Sequence, residues 1–129
     1  MVIDTSAIIA ILANEPEAPK LARAIQSDAI RLLSAANLLE TAIVIEARYG
    51  AIGGEKLDEL LQIAQVDIEP VTAETAAIAR VTYRTYGKGV HPAGLNFGDC
   101  FAYALAKQTG QPLLFKGDDF AQTDVQAVL

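Results

Sequence analysis

The sequence predicts an α/β fold of three layers, in which a central, mainly parallel sheet of four to five strands lies between helices. One observation is that short apolar runs alternate along the chain with longer segments of helical periodicity. A second is that these runs are continuously apolar, as expected of strands covered on both faces. The third is size, since 129 residues with 52% hydrophobic residues suit one domain, 1–129, with a sizeable core.

The first half of the chain contains two predicted strands and three predicted helices. Val2 and Ile3 form a short strand, and Asp4 to Ser6 follow it with side chains that cap helices. Ser34 caps a longer helix, which Gly50 ends. In chain order the predicted elements are a strand at 2–3, a helix at 7–12, a helix at 17–27, a strand at 31–34 and a helix at 35–49.

Glycine and proline mark most element ends in the second half of the chain. Gly53 and Gly54 open a helix, Pro70 marks the end of a strand, and Gly110 ends a strongly apolar helix. In chain order the predicted elements are a helix at 55–65, a strand at 66–71, a helix at 72–86, a loop at 88–97, a helix at 98–109, a strand at 112–115, a turn at 117–119 and an edge strand at 124–129.

The charge and the aromatic content of the chain argue against two kinds of nucleic-acid binder. A net charge of −6 is unsuited to holding nucleic acid by bulk positive charge. Aromatic residues make up only 6% of the chain and Trp is absent, so platforms for stacking bases are scarce. Neither observation excludes a protein that reaches phosphates through a bound metal ion.

The chain also carries signals about its compartment. Cys100 is the single cysteine, so no internal disulfide can form, which suits a reducing environment. The first residues contain no basic segment typical of a signal peptide, and no apolar stretch reaches the ~18 residues of a membrane span. We therefore expect a cytoplasmic protein without a membrane partner.

Four carboxylates occupy positions where an α/β fold of this kind places its functional sites. They are Asp4 after the first strand, Glu40 within a nearly apolar helix, Asp99 at a helix start and Asp118 after the strand at 112–115. Singly, each has a simpler explanation as a helix cap, a turn residue or a charge on a solvated helix face. As a set they favour a site, because parallel strands bring several of them to one edge of the sheet.

Carboxylates gathered in a small site need a cation or raised pKa values, because like charges repel at short range. Oxygen ligands of this kind favour a hard divalent ion, Mg²⁺ or Mn²⁺. Such an ion leaves positions for water and for a phosphate oxygen, so it can activate water for in-line attack at phosphorus. The sequence thus predicts metal-dependent phosphoryl chemistry.

Several stretches together resemble a PIN domain, and more narrowly a VapC-type toxin of a bacterial type II toxin–antitoxin system. The stretches that carry the resemblance are 1–6, Glu40 in its apolar helix, Tyr86–Gly89, 93–99, 114–120 and the tail 120–125. The resemblance covers essentially the whole chain, and the order Asp, Glu, Asp, Asp with these flanks is specific as a set.

The resemblance implies a Mg²⁺-dependent endoribonuclease that forms a homodimer and is neutralised by a cognate VapB-type antitoxin, with DNA contacted only through that antitoxin. Asp4, Glu40 and Asp99 would be the core acids, with Asp4 and Asp99 the most direct ligands. Asp118 fits the fourth position best, and Asp119 beside it stays an alternative. Three smaller polar residues are secondary candidates: Thr5, Ser6 and Asn96.

A set of basic residues is predicted to guide RNA phosphates. Arg80 and Arg84 share a helix face, Lys88 extends that row, and Lys116 continues a basic rim near the acids. A plain solvated helix face is the alternative for this row. His91 is expected to be an ordinary loop residue rather than a general base.

Three rival interpretations are weighed against these residues. A haloacid-dehalogenase-type phosphatase needs a second Asp two positions after the first, where Ser6 stands. A receiver domain needs a free Asp after a middle strand, where Glu69 and Pro70 stand. A PIN-like interaction module without catalysis would lack at least one acid, and here all four positions are filled.

Overall fold

All four strands of the sheet run parallel, as the apolar runs predicted. A computed structural model describes residues 1–129. The strands are β1 (Val2–Ile3), β2 (Leu32–Ser34), β3 (Asp67–Glu69) and β4 (Leu113–Leu114). Their order across the sheet is β3, β2, β1, β4, and Val2 pairs with both Leu32 and Leu113. The sheet has four strands, within the predicted four to five.

Five α-helices connect these strands and cover the sheet. They are α1 (Thr5–Leu12), α2 (Ala18–Ser27), α3 (Ala35–Ile63), α4 (Ala73–Tyr86) and α5 (Phe97–Thr109), with a 3-10 turn at Phe120–Gln122. Three of these helices begin at a side-chain cap of the kind the sequence indicates, on Asp4, Ser34 and Thr72. None of the helices is long and apolar enough to cross a membrane.

The core lies on both faces of the sheet, because successive residues of a strand point to opposite sides. Val2 and Leu113 belong to one apolar cluster, which includes residues of α4 and α5. Ile3 and Leu114 belong to a second cluster, which includes residues of α1, α2 and α3. This arrangement confirms the three-layer α/β/α fold that the sequence predicted.

The predicted end of a helix at Gly50 is confirmed, because α3 consists of two helical segments that meet at a break there. Gly50 is non-helical, with φ at 68° and ψ at −156°, a conformation essentially restricted to glycine. The second segment begins directly after Gly50, earlier than the predicted start at residue 55. Gly53 lies inside the helix, where an added Cβ would stand 2.8 Å from the Ile45 side chain. Close packing against Ile45, rather than a helix start, explains the glycine at position 53.

The predicted edge strand at 124–129 was also wrong. The tail makes only one isolated parallel bridge, between Ala127 and Leu113, with Leu113 N donating to Gln126 O at 2.8 Å. Val128 N also donates to Leu113 O at 3.1 Å, and the pairing extends no further.

The parallel topology sets the position of the candidate site. β1 ends at Ile3 and β4 ends at Leu114, and these two strands are neighbours in the sheet. Asp4 N donates to Leu114 O at 2.9 Å, so the residues after both strands meet at the same edge. The first turns of α1 and α3 start at that edge as well, directly after β1 and β2.

Candidate functional site

Asp4 is a buried carboxylate at the carboxyl end of β1. It is only 3% exposed and serves as the N-cap of α1. Its Oδ2 accepts two hydrogen bonds from Ser6, one from the backbone N at 3.0 Å and one from the hydroxyl at 2.6 Å. Its Oδ1 is buried and accepts no hydrogen bond. The capping explanation therefore holds for one oxygen and leaves the other without a partner.

Glu40 projects from α3 and is held by neighbours on two elements. Its Oε1 accepts hydrogen bonds from the Thr5 hydroxyl at 2.5 Å and from Asn37 Nδ2 at 3.2 Å. Its Oε2 lies where a Cβ on residue 98 would stand, so only a glycine at that position leaves it room. Glu40 is thus directed toward the start of α5 and is not a charge on a solvated helix face.

Asp99 stands in the first turn of α5 in a mutual capping arrangement. Asn96 Oδ1 accepts from Asp99 N at 2.9 Å, and Asp99 Oδ2 accepts from Asn96 N at 3.0 Å. This capping box identifies Asn96, a secondary candidate, as the residue that fixes Asp99. Asp99 itself is the third helical residue rather than the cap.

These three acids share one pattern. Each has one oxygen tied by hydrogen bonds to nearby residues, and the other oxygen accepts none: Oδ1 of Asp4, Oε2 of Glu40 and Oδ1 of Asp99. Of these three oxygens, Asp4 Oδ1 is fully buried, and a buried carboxylate oxygen without a partner is unfavourable unless a charge compensates it. The arrangement holds each side chain by one oxygen and leaves the second free.

The pKa values of the acids reflect their burial and, to a smaller extent, their mutual proximity. Burial raises the pKa of Asp4 to about 6, and the negative charge of Glu40 contributes to the rise. Burial likewise raises the pKa of Asp99 to about 7, with contributions from the charges of Asp4, Asp119 and Glu40. The carboxylates act on one another electrostatically, which is what a shared site for a positive ion requires.

The donor set fits a magnesium ion better than a softer metal. It offers carboxylate oxygens only, which hard cations prefer. No three carboxylate, imidazole or thiol groups of the chain converge tightly enough to enclose an ion by themselves. Mg²⁺ typically keeps several of its waters and takes only one or two protein carboxylates directly, so an open arrangement suits it.

The fourth acid lies in the exposed turn after β4, which holds Asp118 and Asp119. The charge of Asp119 is among those that raise the pKa of Asp99, so this side chain reaches the site electrostatically. The Asp118 carbonyl accepts from Ala121 N at 3.1 Å and starts the 3-10 turn. The structure favours Asp119 as the fourth acid, and the assignment of Asp118 stays a prediction.

Ser6 links the two strand ends at the site, whereas Lys116 turns away from it. The Ser6 hydroxyl accepts from Lys116 N at 3.0 Å while donating to Asp4. The Lys116 ammonium pairs with Glu15 at 3.0 Å and with Glu17 at 3.4 Å. Its positive charge is therefore balanced, and its predicted role as a guide for RNA stays a prediction without structural support.

The other predicted basic residues lie on and after α4. Arg80, Arg84 and Lys88 are exposed and form no ion pair. His91 accepts a hydrogen bond from Ala93 N through Nδ1 at 3.0 Å, and its ring contacts the ring of Tyr86. These contacts give His91 a local structural role, as the sequence suggested.

Sequence reasoning missed a buried polar layer beneath the acids. Asn37 is fully buried and donates to both Glu40 and the Gly98 carbonyl, the latter at 2.9 Å. Thr41, also fully buried, donates to the Asn37 carbonyl at 2.7 Å. Asn37 lies one helical turn before Glu40 on α3, and that spacing was the available signal.

The fold and the acidic site together define the class of protein. The family profile described as "PIN domain" matches residues 1–126. Among solved structures, the chain superposes on VapC20 of Mycobacterium tuberculosis, whose title calls it a sarcin–ricin loop cleaving toxin, with a TM-score of 0.79. Sequence identity is 19%, and the match covers 96% of this chain and 95% of that one. This chain is a PIN domain.

Sequence relatives narrow the class further. Ribonuclease VapC30 of Mycobacterium tuberculosis is 59% identical over 128 residues, which are 99% of this chain and 98% of the relative. Ribonuclease VapC of Mycolicibacterium smegmatis is also 59% identical over 128 residues, with 99% of each chain covered. The chain belongs to the VapC family of PIN domains, as the resemblance predicted.

We predict that neutralising either buried acid stabilises the metal-free protein at pH 7.5. A folded pKa above the unfolded value means that stability is lost as pH rises from about 4 to about 7. In EDTA, Asp4→Asn should therefore raise the free energy of unfolding by about 1–3 kcal/mol. Asp99→Asn should act in the same direction, and both gains should shrink as pH falls toward 4.5.

Urea unfolding curves at the two pH values measure this effect. Asn caps helices about as well as Asp, so the first substitution preserves the start of α1. Asp58→Asn on the exposed face of α3 is the matched control and should be neutral at both pH values. Equal stability of wild type and both site variants at pH 7.5 would contradict the electrostatic account.

We also predict that Gly98→Ala displaces Glu40 without unfolding the protein. The new Cβ would overlap the free Oε2, which is the end of a flexible side chain and can move. Stability should change by less than about 1 kcal/mol, since Ala favours helix over Gly. Divalent-metal affinity should fall by about 10–100-fold, as is typical when a residue that orients a ligand is changed.

Calorimetric titration with Mn²⁺ measures this loss. Gly54→Ala is the control, since its Cβ would likewise press on a glutamate, standing 2.7 Å from Glu46 Oε1 on the far part of α3. It should leave metal affinity unchanged. Unchanged Mn²⁺ affinity in Gly98→Ala, or an equal loss of affinity in both variants, would show that Glu40 does not contribute to metal binding.

Proposed function

We propose that this protein is a Mg²⁺-dependent endoribonuclease, with Mn²⁺ as a substitute ion. The observation that carries the proposal is the pattern of one tied and one free oxygen on each of Asp4, Glu40 and Asp99. The names of the relatives support the reaction, since Ribonuclease VapC30 covers 99% of this chain at 59% identity. The acidic donor set supports the choice of metal.

Each acid has a separate role in the proposed mechanism. Asp4 and Asp99 would hold the ion directly through their free oxygens, and Asp119 or Asp118 would complete the charge around it. When bound, Mg²⁺ would lower the pKa of the attacking water and offset negative charge that develops on the phosphate. Glu40 Oε2 would orient that water as a hydrogen-bond acceptor.

The residues around the acids preserve this geometry. Thr5 and Asn37 hold Glu40 Oε1, so the side chain presents Oε2. Ser6 holds Asp4 Oδ2 and ties the ends of β1 and β4 together. Groups that are oriented before substrate arrives need no reorganisation during the reaction.

The partners proposed for this chain follow from its family. A VapB-type antitoxin that neutralises the protein would make it the toxic component of a type II system, and the catalytic unit would be a homodimer. The structure from Klebsiella pneumoniae titled as a toxin–antitoxin complex has the same fold, with a TM-score of 0.70 at 14% identity over 95% of this chain. FitAcB from Neisseria gonorrhoeae superposes at 22% identity with a TM-score of 0.70.

Cleavage of RNA by purified protein tests the proposed reaction. Wild type should cut with Mg²⁺ and stop when EDTA removes it. Asp4→Asn and Asp99→Asn should each cut at least about a hundredfold more slowly, because metal catalysis contributes several kcal/mol to the barrier. Asp119→Asn should be slower than Asp118→Asn if the electrostatic contact identifies the fourth acid.

The same assay separates catalysis from contamination. Asp58→Asn, on the exposed face of α3, should cut like wild type. Equal cutting by wild type and both site variants in EDTA would identify a contaminating nuclease. Absence of metal-dependent cutting by pure, folded wild type would instead favour the PIN-like interaction module without catalysis.

A further inference from the structure

The segment that follows the fourth acid is tied to α5 through Asp124, an aspartate outside the proposed metal site. Asp124 accepts a hydrogen bond from the Tyr103 hydroxyl and another from Lys107 Nζ at 2.9 Å. The Lys107 ammonium also stands 5.6 Å from the centre of the Tyr103 ring. The two hydrogen bonds lower the pKa of Asp124, so they favour its charged form. We call these three side chains the Asp124 clamp.

The clamp acts on the helix that carries Asp99. Asp99, Tyr103 and Lys107 follow one another at intervals of four residues on α5, so they lie on one face of the helix. Each interval of four residues advances about 6 Å along a helix. Asp99 therefore lies at one end of this face, and the clamp lies one and two turns further along it.

Residues 119–124 span the same stretch of α5. At the start of the segment, the charge of Asp119 contributes to the raised pKa of Asp99. At its end, Asp124 is bonded to Tyr103 and Lys107. The separation between Asp99 and Asp119 therefore depends on where this segment is fixed along α5.

Hydrogen bonds within the segment make it a single unit. Ala121 N donates to the Asp118 carbonyl at 3.1 Å, and Thr123 N donates to the Phe120 carbonyl at 3.0 Å. The Thr123 hydroxyl also donates to the Phe120 carbonyl, at 2.7 Å. A displacement at one end of such a unit is transmitted to the other end.

Two other features hold the segment, but neither sets its direction. Phe120 is 3% exposed and belongs to the same apolar cluster as Tyr103. Gly117 lies in the turn after β4 with φ at 102°, a conformation that favours glycine. A segment held only by a buried ring and a glycine turn can pivot about the ring. The clamp supplies a further point of attachment, which prevents that pivot.

We propose that Tyr103 and Lys107, acting through Asp124, are positioning residues that hold Asp119 beside Asp99 for metal binding. The proposal rests on the proposed metal-dependent function, and it assigns to the clamp the placement of the fourth acid. Tyr103 is the principal member, because its hydrogen bond is partly buried, whereas an exposed ion pair such as that of Lys107 contributes little by itself.

Calorimetric titration with Mn²⁺, without RNA, measures the effect on the site. Tyr103→Phe removes only the hydroxyl and should weaken Mn²⁺ binding by about tenfold, as is typical when a residue that orients a ligand is changed. Asp124→Asn should act in the same direction. Both variants should stay folded, because Asp124 is exposed and water can solvate it. Tyr49→Phe, which removes an exposed hydroxyl from α3, should bind Mn²⁺ like wild type.

A double-mutant cycle separates positioning from a general loosening of the fold. In a protein that already carries Asp119→Asn, Tyr103→Phe should cost little further Mn²⁺ affinity, because residues that act through one another are not additive. In a protein that carries Asp118→Asn, Tyr103→Phe should still cost the full tenfold. Additive losses with Asp119→Asn would overturn the proposal, and so would the reverse pattern between the two aspartates.

Amide hydrogen exchange in EDTA tests the clamp without metal. Tyr103→Phe should speed exchange at Ala121 and Thr123 severalfold and leave the amides in the middle of α1 unchanged. Unchanged exchange at both amides would overturn the hold of the clamp on the segment. Absence of Mn²⁺ binding by folded wild type would reject the metal-dependent function instead. The two proposals therefore fail on different measurements.

Discussion

The burial of carboxylates close to one another is the constraint on which the rest of this structure depends. Asp4 is buried, and burial, together with the charges of Asp4, Asp119 and Glu40, raises the pKa of Asp99 to about 7. A protein without need of this cluster would gain stability by replacing its members. The proposed function explains their presence together, each with one oxygen unbonded, by a cation that binds between them. On that proposal, function opposes the stability of the metal-free chain.

Strand pairing, hydrogen bonds and close packing hold these carboxylates near one another. Parallel neighbours β1 and β4 bring Asp4 and the turn after β4 to one edge, and Ser6 bonds to both strand ends. The buried polar layer of Asn37 and Thr41 positions Glu40 from below. Gly98 has no Cβ, which leaves space for the glutamate oxygen between α3 and α5. Helix caps fix the remaining acids, so the same hydrogen bonds start the helices and orient the site.

The sequence predicted features that follow from local rules and missed those that depend on contacts between elements. Apolar runs identified β1, β2 and β4, polar–apolar alternation identified β3, and capping preferences placed α1 and α3. The break at Gly50 was predicted from the glycine itself, but the next helical segment was expected to start too late, because Gly53 and Gly54 suggested a new helix start. Asp4, Glu40 and Asp99 were predicted as site residues from their positions and from the resemblance to PIN domains. Asn37 and the role of Gly98 were missed, since both depend on contact with Glu40.

The most direct test of a shared cation site is the effect of Mg²⁺ on urea unfolding at pH 7.5. Wild type should gain about 2.7 kcal/mol of stability when the metal is at a hundred times its dissociation constant, because binding favours the folded state. The Asp4→Asn/Asp99→Asn double variant should gain nothing from Mg²⁺ beyond the effect of NaCl at matched ionic strength. An equal gain in wild type and the double variant, or none in either, would contradict the claim that these acids form one metal site.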